Sequence, residues 1–268
     1  MRVLCLHGMG VNATIFKAQT AHFRSLLVDF EWVFVDGPIE CQAAPAIAAF
    51  YSPPYRCWYT TPTTAKVDAA QRLIATIIER KGPFDAVMGF SQGAALAASA
   101  ILRHQTENPL KPPLFQMAIF MCSPVPFSQS LEFGIDARKY FGLTGRPKAT
   151  RPGCPTTIPD YLITDPAYLK GEDELDLSSS DDDMKPTFGY PREIYYQMYH
   201  STVDKVRISI PTANVYGRYD QWRLHSKDLV DLCANNLTTV FEHDGGHEIP
   251  KSASEGICDA IEIAAANI

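Results

Sequence analysis

The residues of this sequence that could do chemistry begin with a serine between two glycines, in GFSQG at residues 89–93. Gly-x-Ser-x-Gly is typical of a nucleophile elbow, a strained turn between a strand and a helix that presents a serine hydroxyl. The positions two before and two after the serine must lack side chains, because strand and helix approach each other there, and Gly89 and Gly93 meet that requirement. Five letters are a weak signal, and an ordinary turn that contains a serine is the competing interpretation.

Later strand ends offer the partners that Ser91 would need. A serine hydroxyl is a poor nucleophile without a general base, and that base must be oriented by an acid. Asp220 follows the apolar run TANVYG, and His247 follows the run TTVFEH. Serine, acid and histidine in this chain order, on loops after later strands, match the α/β-hydrolase arrangement. We therefore predict Ser91 as nucleophile, Asp220 as orienting acid and His247 as general base.

The remaining histidines compete poorly with His247 for the role of base. His7 precedes the elbow, His200 lies in an irregular region, and His243 stands at a strand end where we expect it to be exposed. Three more lie in helix-like segments, namely His22, His104 and His225. A turn histidine that bonds only to backbone is the alternative role for His247.

The other acids are less well placed than Asp220 to orient His247. Asp244 is too close to His247 in sequence to approach its ring easily, and Asp165 or Asp204 would have to fold back from the irregular region. A helix N-cap is the alternative role for Asp220, because aspartate is favoured there.

Two backbone N–H groups are candidates for an oxyanion hole, since a tetrahedral oxyanion needs preorganised donors. The amide of Gln92 follows the nucleophile directly and opens a helix. The second donor should come from the loop LHGMG after the first strand, where we choose the amide of Met9. A phosphate-binding loop is the alternative, but HGMGVN lacks both G-x-G-x-x-G and G-K-[ST]. We predict no cofactor and no metal.

The elements around these residues alternate between short apolar runs and helical segments. The runs are RVLCL, EWVFVD, FDAVMGF, FQMAIFMC, TANVYG and TTVFEH. Helical periodicity is clearest over residues 64–81, and the segments AHFRSLL, QGAALAASAILRH, LHSKDLVDLCANN and SASEGICDAIEIAAANI read the same way. Alternation of this kind predicts an α/β fold with a mostly parallel sheet and helices on both faces. We predict one domain over residues 1–268, with a lid-like insertion at 128–200.

Charge, apolar stretches and cysteine spacing limit the partners and the location that we expect for this protein. The formal net charge is -6 and no basic run occurs, so affinity for nucleic acid or an anionic membrane is not expected. No apolar stretch reaches the length of a membrane span, and the first strand-like run leaves no room for a leader. The 7 cysteines are scattered without C-x-x-C spacing, which indicates reduced thiols and a cytoplasmic protein.

Residues 50–59, FYSPPYRCWY, concentrate aromatic side chains that could form one wall of an apolar pocket. The candidate substrate-binding residues are Phe50, Tyr51, Trp58 and Tyr59. Packing into the protein's own core is the alternative for any one of these rings.

Taken together, VLCLHGMG, VDGP with SPPYRCWY, FDAVMGFSQGAALA, YGRYD and HDGGHEIP resemble the serine hydrolase (FSH) family of α/β-hydrolases. The resemblance implies a metal-free hydrolase with Ser91, Asp220 and His247 in the roles given above. Many fungal members are encoded beside polyketide synthases, and some are thioesterases that free an acyl chain from a carrier protein. Here the long aromatic-rich insertion departs from the shortest members.

This resemblance leads to a functional hypothesis with two alternatives. We expect a serine esterase or thioesterase that releases a medium, long or polyketide acyl chain through an acyl-enzyme on Ser91. An acyl carrier protein or polyketide synthase is the expected partner. One alternative is a general carboxylesterase acting on small oxygen esters. The other is a non-catalytic binding partner of a synthase that retains the hydrolase shell.

Overall fold

The computed structural model describes residues 1–137 and 196–268, and it is built around a six-stranded sheet in the order β11-β10-β6-β5-β1-β2. All the neighbouring strands in this sheet pair in parallel. Its strands are β1 (Arg2–Leu6), β2 (Glu31–Val35), β5 (Ala86–Phe90), β6 (Met117–Met121), β10 (Thr212–Gly217) and β11 (Thr238–His243). Each predicted apolar run became one of these strands, which confirms the α/β fold class.

The helices lie on both faces of this sheet. They are α1 (Ala13–Gln19), α2 (Ala21–Arg24), α3 (Thr64–Lys81), α4 (Gln92–Glu107), α5 (Arg223–Asp231) and α6 (Ser254–Ala265). Short 3₁₀ turns occur at Ile47–Ala49, Asn235–Leu237 and Lys251–Ala253. In the described ranges, no helix combines the length and apolarity needed to cross a bilayer.

Side chains alternate along each central strand because successive residues point to opposite faces. In β1, Leu4 and Leu6 join one core with α3 and α4, whereas Val3 and Cys5 join a second core on the other face. The second core includes apolar residues of α1, α2 and α6, among them Phe16, Phe23, Ile257 and Ile261. Continuous apolar runs are therefore explained by burial on both faces.

The parallel arrangement brings the predicted site residues to one edge of the sheet. Ser91 follows β5, Asp220 lies in the loop after β10, and His247 lies in the loop after β11. Because all these strands run in the same direction, their carboxyl ends meet at a single edge. In such sheets ligands bind outside the carboxyl ends of the strands.

Two small antiparallel sheets flank this edge. One is the hairpin of β3 (Ile39–Cys41) and β4 (Tyr55–Cys57). The other joins β7 (Phe127–Ser128), β8 (Ile135–Asp136) and β9 (Gln197–Met198), in the order β7-β9-β8. The amide of Ala137 donates to the Tyr196 carbonyl at 2.9 Å. Most of the predicted insertion, residues 138–195, lies outside the described residues, so its interpretation as a lid stays a prediction.

Several boundaries differ from the sequence prediction. The segment AHFRSLL forms only the short helix α2, and LHSKDLVDLCANN leaves the helix at Asp231. Helix α1 was not anticipated, although Asn12 caps it by accepting a hydrogen bond from the Ile15 amide at 2.8 Å. Where the structure has the β3–β4 hairpin, the sequence predicts a turn followed by an aromatic wall. Strands of 3 residues are too short to show a clear alternation of apolar and polar residues.

Candidate active site

Ser91 occupies a strained turn between β5 and α4. Its φ of 51° and ψ of -120° lie outside the regions that a serine ordinarily adopts. A Cβ on Gly89 would lie 2.4 Å from the backbone of Ala94, and one on Gly93 would lie 2.2 Å from the Leu6 carbonyl oxygen. Any larger residue at either position would clash with backbone atoms, so both positions require glycine, as the sequence predicts for a nucleophile elbow.

Ser91, His247 and Asp220 form a continuous chain of hydrogen bonds. His247 Nδ1 lies 2.9 Å from Asp220 Oδ2 and 3.1 Å from Oδ1, and His247 Nε2 lies 2.9 Å from Ser91 Oγ. A carboxylate can only accept, so Nδ1–H donates to Asp220, and in a neutral ring Nε2 is then free to accept the serine hydroxyl. This is the geometry in which a histidine removes the serine proton.

The acid is more deeply buried than the base. The side chain of Asp220 has no exposed surface, whereas that of His247 is 26% exposed. Asp220 Oδ1 also accepts from the Trp222 amide at 2.8 Å, near the start of α5. The N-cap of α5 is Trp222 and, among the described residues, no side chain caps this helix, so the bond from the Trp222 amide forms a turn before the helix and the capping role considered for Asp220 is not observed.

Cys122 completes the surroundings of the acid, and sequence reasoning gave it no role beyond the core. It follows β6 with a φ of 47°, and its amide donates to the Val215 carbonyl at 2.7 Å. Within the described residues, Cys122 Sγ, an Asp220 oxygen and a His247 nitrogen lie within 4.8 Å of one another, a donor set that could hold a metal ion. Burial, then the charge of Asp220, raises the pKa of the Cys122 thiol well above its ordinary value. A protonated thiol is a poor metal ligand but can donate to the carboxylate.

Ion pairs connect the chain after β10 to β11 and to the loop that carries His247. Arg218 contacts Glu242 at 3.2 Å and Asp244 at 2.9 Å, and Arg223 contacts Glu242 at 2.7 Å. The competing acid Asp244 is 80% exposed and points to Arg218 rather than to His247.

Gly217, at the end of β10, lies directly against the base loop. A Cβ there would lie 2.2 Å from the Gly246 carbonyl oxygen. Only glycine permits this approach, so Gly217 is a site-forming residue that the sequence analysis passed over.

The two predicted oxyanion donors belong to chain segments that lie next to Ser91. Gln92 is the first residue of α4, and a Cβ on Gly8, next to Met9, would lie 3.3 Å from the Ser91 Cβ. Neither the Gln92 nor the Met9 amide has an acceptor within residues 1–137 and 196–268. Both N–H groups are therefore available to a ligand in this part of the chain.

The four predicted substrate-binding aromatics separate into two pairs. Phe50 is 81% exposed and Tyr51 is half-buried, whereas Trp58 and Tyr59 are 1% and 3% exposed. Trp58 and Tyr59 belong to the core shared with α3 and α4, so the described structure does not present the four as one wall. The alternative of packing into the core describes Trp58 and Tyr59 better.

The other candidate groups are engaged elsewhere. The expectation that His243 is exposed was wrong: it is 4% exposed, and its Nδ1 accepts from the Gly245 amide at 3.1 Å. Asp204 accepts from the amides of Gly134 and His200 at 3.0 and 2.9 Å, which ties the small antiparallel sheet together. Asp165 lies outside the described residues.

The six-stranded parallel sheet with helices on both faces and the strand-turn-helix at Ser91 define an α/β-hydrolase fold. Residues 1–256 match the family model described as "Serine hydrolase (FSH1)". The chain therefore belongs to the FSH1 serine hydrolase family, and it is a hydrolase of the esterase type.

Full-length relatives carry esterase and hydrolase names. "Esterase alnB" of Emericella nidulans is 29% identical, covering 95% of this chain and 92% of its own. "Esterase FPY3" of Fusarium mangiferae is 30% identical, with coverage of 97% and 93%. "Hydrolase FUB4" of Fusarium oxysporum f. sp. lycopersici is 28% identical, with coverage of 95% and 94%.

Solved structures share the fold at low identity. A carboxylesterase from Mesorhizobium loti has a TM-score of 0.51 and 13% identity, covering 97% of this chain and 88% of its own. Arabidopsis thaliana SOBER1 has a TM-score of 0.50 and 14% identity, with coverage of 99% and 99%. At such identities the likeness establishes the α/β-hydrolase fold alone.

Proposed function

We propose that Ser91, His247 and Asp220 are a catalytic triad that cleaves an acyl ester or thioester through an acyl-enzyme on Ser91. The observation that carries this proposal is the pair of 2.9 Å contacts that link Ser91 Oγ to His247 and His247 to Asp220. The positive φ of Ser91 and membership of the serine hydrolase family support it.

The reaction has two halves. Ser91 Oγ attacks the acyl carbon while His247 Nε2 takes the hydroxyl proton, and the amides of Gln92 and Met9 donate to the oxyanion. His247 returns the proton to the departing alcohol or thiol. Water then gives a proton to His247 as it attacks the acyl-enzyme, and His247 passes that proton to Ser91 Oγ as the acyl–oxygen bond breaks, which releases the acid and regenerates the serine. Asp220 keeps Nδ1 protonated and stabilises the imidazolium in both halves.

For the substrate we propose a medium or long apolar acyl chain, including a polyketide, delivered by an acyl carrier protein or polyketide synthase in the cytoplasm. The resemblance to polyketide-releasing thioesterases motivates this choice. The exposed ring of Phe50 and the half-buried ring of Tyr51 are the aromatic groups available to contact such a chain. Free cysteines at positions 5, 41, 57, 122, 233 and 258 are compatible with a reducing compartment.

A second candidate is a carboxylesterase acting on small oxygen esters, favoured by the esterase names of the relatives. Kinetics with oxygen esters and thioesters whose matched acyl chains run from about two to about twelve carbons separate the two candidates. A higher kcat/KM for long thioesters supports the proposal, and a preference for acetate esters supports the second candidate.

The role of Ser91 is tested with matched serine variants. Ser91→Ala should abolish turnover of every substrate, whereas Ser99→Ala, which changes a serine of α4 whose hydroxyl donates to the Ala95 carbonyl at 2.8 Å, should keep it. Near-normal hydrolysis by folded Ser91→Ala would exclude the mechanism. A folded wild-type protein that hydrolyses nothing but binds an acyl carrier protein would favour the non-catalytic alternative.

A further inference from the structure

Residues 56–59, at the end of the β3–β4 hairpin, connect the two sides of the proposed oxyanion hole. On one side, the Gly10 amide donates to the Arg56 carbonyl at 3.1 Å, and the Arg56 amide donates to the Val11 carbonyl at 2.7 Å. The loop that carries Met9 is thereby paired with β4, although it follows β1 in the chain.

Trp58 adds a second connection to the same loop. Its indole Nε1–H donates to the His7 carbonyl at 2.8 Å, and the Trp58 and His7 rings have centroids 5.2 Å apart. His7 Nε2 accepts from the Gly37 amide at 2.8 Å, so in this tautomer Nδ1–H donates to the Gly8 carbonyl at 2.7 Å. Burial lowers the pKa of His7, which keeps the ring neutral and this pattern of bonds intact.

The side chain of Gln92 connects residues 56–59 to the other side. Its Oε1 accepts from the Trp58 amide at 2.8 Å, and its Nε2 donates to the Tyr59 carbonyl at 2.7 Å. Gln92 is 9% exposed and Trp58 is 1% exposed, so these bonds are shielded from water. The backbone N–H of the same residue is the first proposed oxyanion donor.

We propose that His7, Trp58 and the side chain of Gln92 are positioning residues that set the distance between the Met9 and Gln92 N–H donors. The inference rests on the proposed function, since it presupposes that these amides bind the oxyanion. One donor opens a helix and the other lies in a loop, and residues 56–59 bond to both elements. Oxyanion donors act only when they are fixed near the position of the developing charge, so this connection would affect the transition state more than substrate binding.

The proposal separates two roles for Trp58. If the ring lined the acyl pocket, as the sequence first indicated, its replacement would raise KM for long acyl chains and leave kcat largely unchanged. If it positions the Met9 loop, its replacement lowers kcat for short and long substrates alike.

The test compares each positioning variant with a matched control. Trp58→Phe removes the indole donor and keeps a buried ring, while Trp32→Phe changes an indole whose buried N–H has no acceptor within the described ranges. Gln92→Met removes the amide and keeps the backbone donor, while Gln71→Met changes a glutamine on α3 that is 4% exposed. Rates are normalised to the number of sites titrated by a fluorophosphonate, which removes the effect of misfolded protein.

We expect Trp58→Phe and Gln92→Met to lower kcat by about 10 to 100-fold, with KM changed by less than about twofold. Inhibition by a trifluoromethyl ketone, whose adduct with serine carries an oxyanion, should weaken by the same factor. The pH midpoint of kcat/KM should stay at the wild-type value, because the bonds between His247, Ser91 and Asp220 are untouched. Trp32→Phe and Gln71→Met should stay within about twofold of wild type.

Failure of this inference differs from failure of the proposed function. Wild-type kcat per titrated site in Trp58→Phe, or a change confined to KM, would overturn the positioning role even if the variant were less stable. If Gln92→Met does not fold, the comparison of Trp58→Phe with Trp32→Phe is sufficient to test the positioning role. Retained hydrolysis by Ser91→Ala would instead overturn the proposed function.

Discussion

The strand that leads to Ser91 and the strand that leads to His247 lie in different parts of the sheet. Strand β5 is interior, and all five of its residues are buried. Strand β11, which leads to His247, is an edge strand with five of its six residues partly buried or exposed. The nucleophile is therefore set in the packed centre of the fold, and the base is set at its margin.

Different interactions position the two sides as a result. At the nucleophile elbow, Gly89 and Gly93 pack directly against backbone atoms, which leaves no space for a side chain at either position. On the other side one such backbone contact, at Gly217, is joined by hydrogen bonds and charged pairs, and Glu242 bridges Arg218 and Arg223. Substitution of Gly89 or Gly93 should therefore act mainly through stability, and substitution of the charged and titratable groups near Asp220 and His247 should show a dependence on pH or salt.

The largest effect on the polar side is expected from Asp220→Asn. An amide at this position no longer favours Nδ1–H on His247 and does not stabilise the imidazolium, so kcat should fall by about 10³ to 10⁴-fold. Steady-state kinetics measure the loss. Asp244→Asn, which changes an exposed acid, should stay near wild type, and equal losses in both variants would reject Asp220 as the acid.

On the packed side, Gly93→Ala should unfold more readily. Its Cβ would meet the Leu6 carbonyl oxygen at 2.2 Å, and neither backbone can give way, so the free energy of unfolding should fall by about 3 kcal/mol or more. Urea titration measures this. Gly246→Ala is the control, because its nearest contact would be 3.8 Å away. Similar stability of the two variants would contradict the steric account of the elbow.

Stability on the polar side should also depend on pH through His225, which is buried on α5. Burial lowers its pKa from 6.5 to about 4, while the charge of Asp220 opposes the shift and His200 adds to it. The folded-state pKa lies below the ordinary value, so the unfolded chain binds the proton first, and stability falls as pH decreases from about 6.5 toward 4.

The full effect of such a shift is about 3 kcal/mol. Urea titrations at several pH values should show a flatter dependence in His225→Gln than in wild type. The half-buried His104, changed to Gln, serves as the control. An unchanged slope in His225→Gln would show that His225 is not the group responsible.

The smallest effect is expected from Glu242→Gln, which removes the shared partner of Arg218 and Arg223. Because these pairs are partly exposed, kcat should fall only about two to threefold at low salt, and the difference should shrink in about 0.5 M salt. The exposed Glu262 on α6, changed to Gln, is the control. A salt-independent loss would indicate that Glu242 acts by packing rather than by charge.

The contrast between the two sides also explains what the sequence could predict. Strands such as Ala86–Phe90 are buried on both faces and leave a continuous apolar run, which identifies them without other information. Ser91, Asp220 and His247 each follow a predicted strand, in the chain order expected of the family, and the parallel sheet brings them into hydrogen-bonding distance. Their catalytic roles remain a proposal.

Contacts between residues that are far apart in the chain leave no recognisable pattern in the sequence. The proximity of Cys122 to Asp220 arises from adjacent strands, and the fit of Gly217 against Gly246 arises from adjacent loops. The sequence does not predict the burial of His243, because the hydrogen bond from the Gly245 amide to its ring arises only when the loop after β11 folds. Trp58 appeared to be a pocket residue because its aromatic neighbours suggested a wall, whereas its indole N–H bonds to the His7 carbonyl.

The most direct test of the central claim is mass spectrometry of the folded protein after reaction with a fluorophosphonate. Our account predicts one adduct per chain, located on Ser91 by peptide mapping, with none on folded Ser91→Ala. His247→Ala should react far more slowly, because the hydroxyl loses its base. Adduct formation on another serine, or a folded wild-type protein that stays unlabelled, would contradict the assignment of Ser91 as the nucleophile.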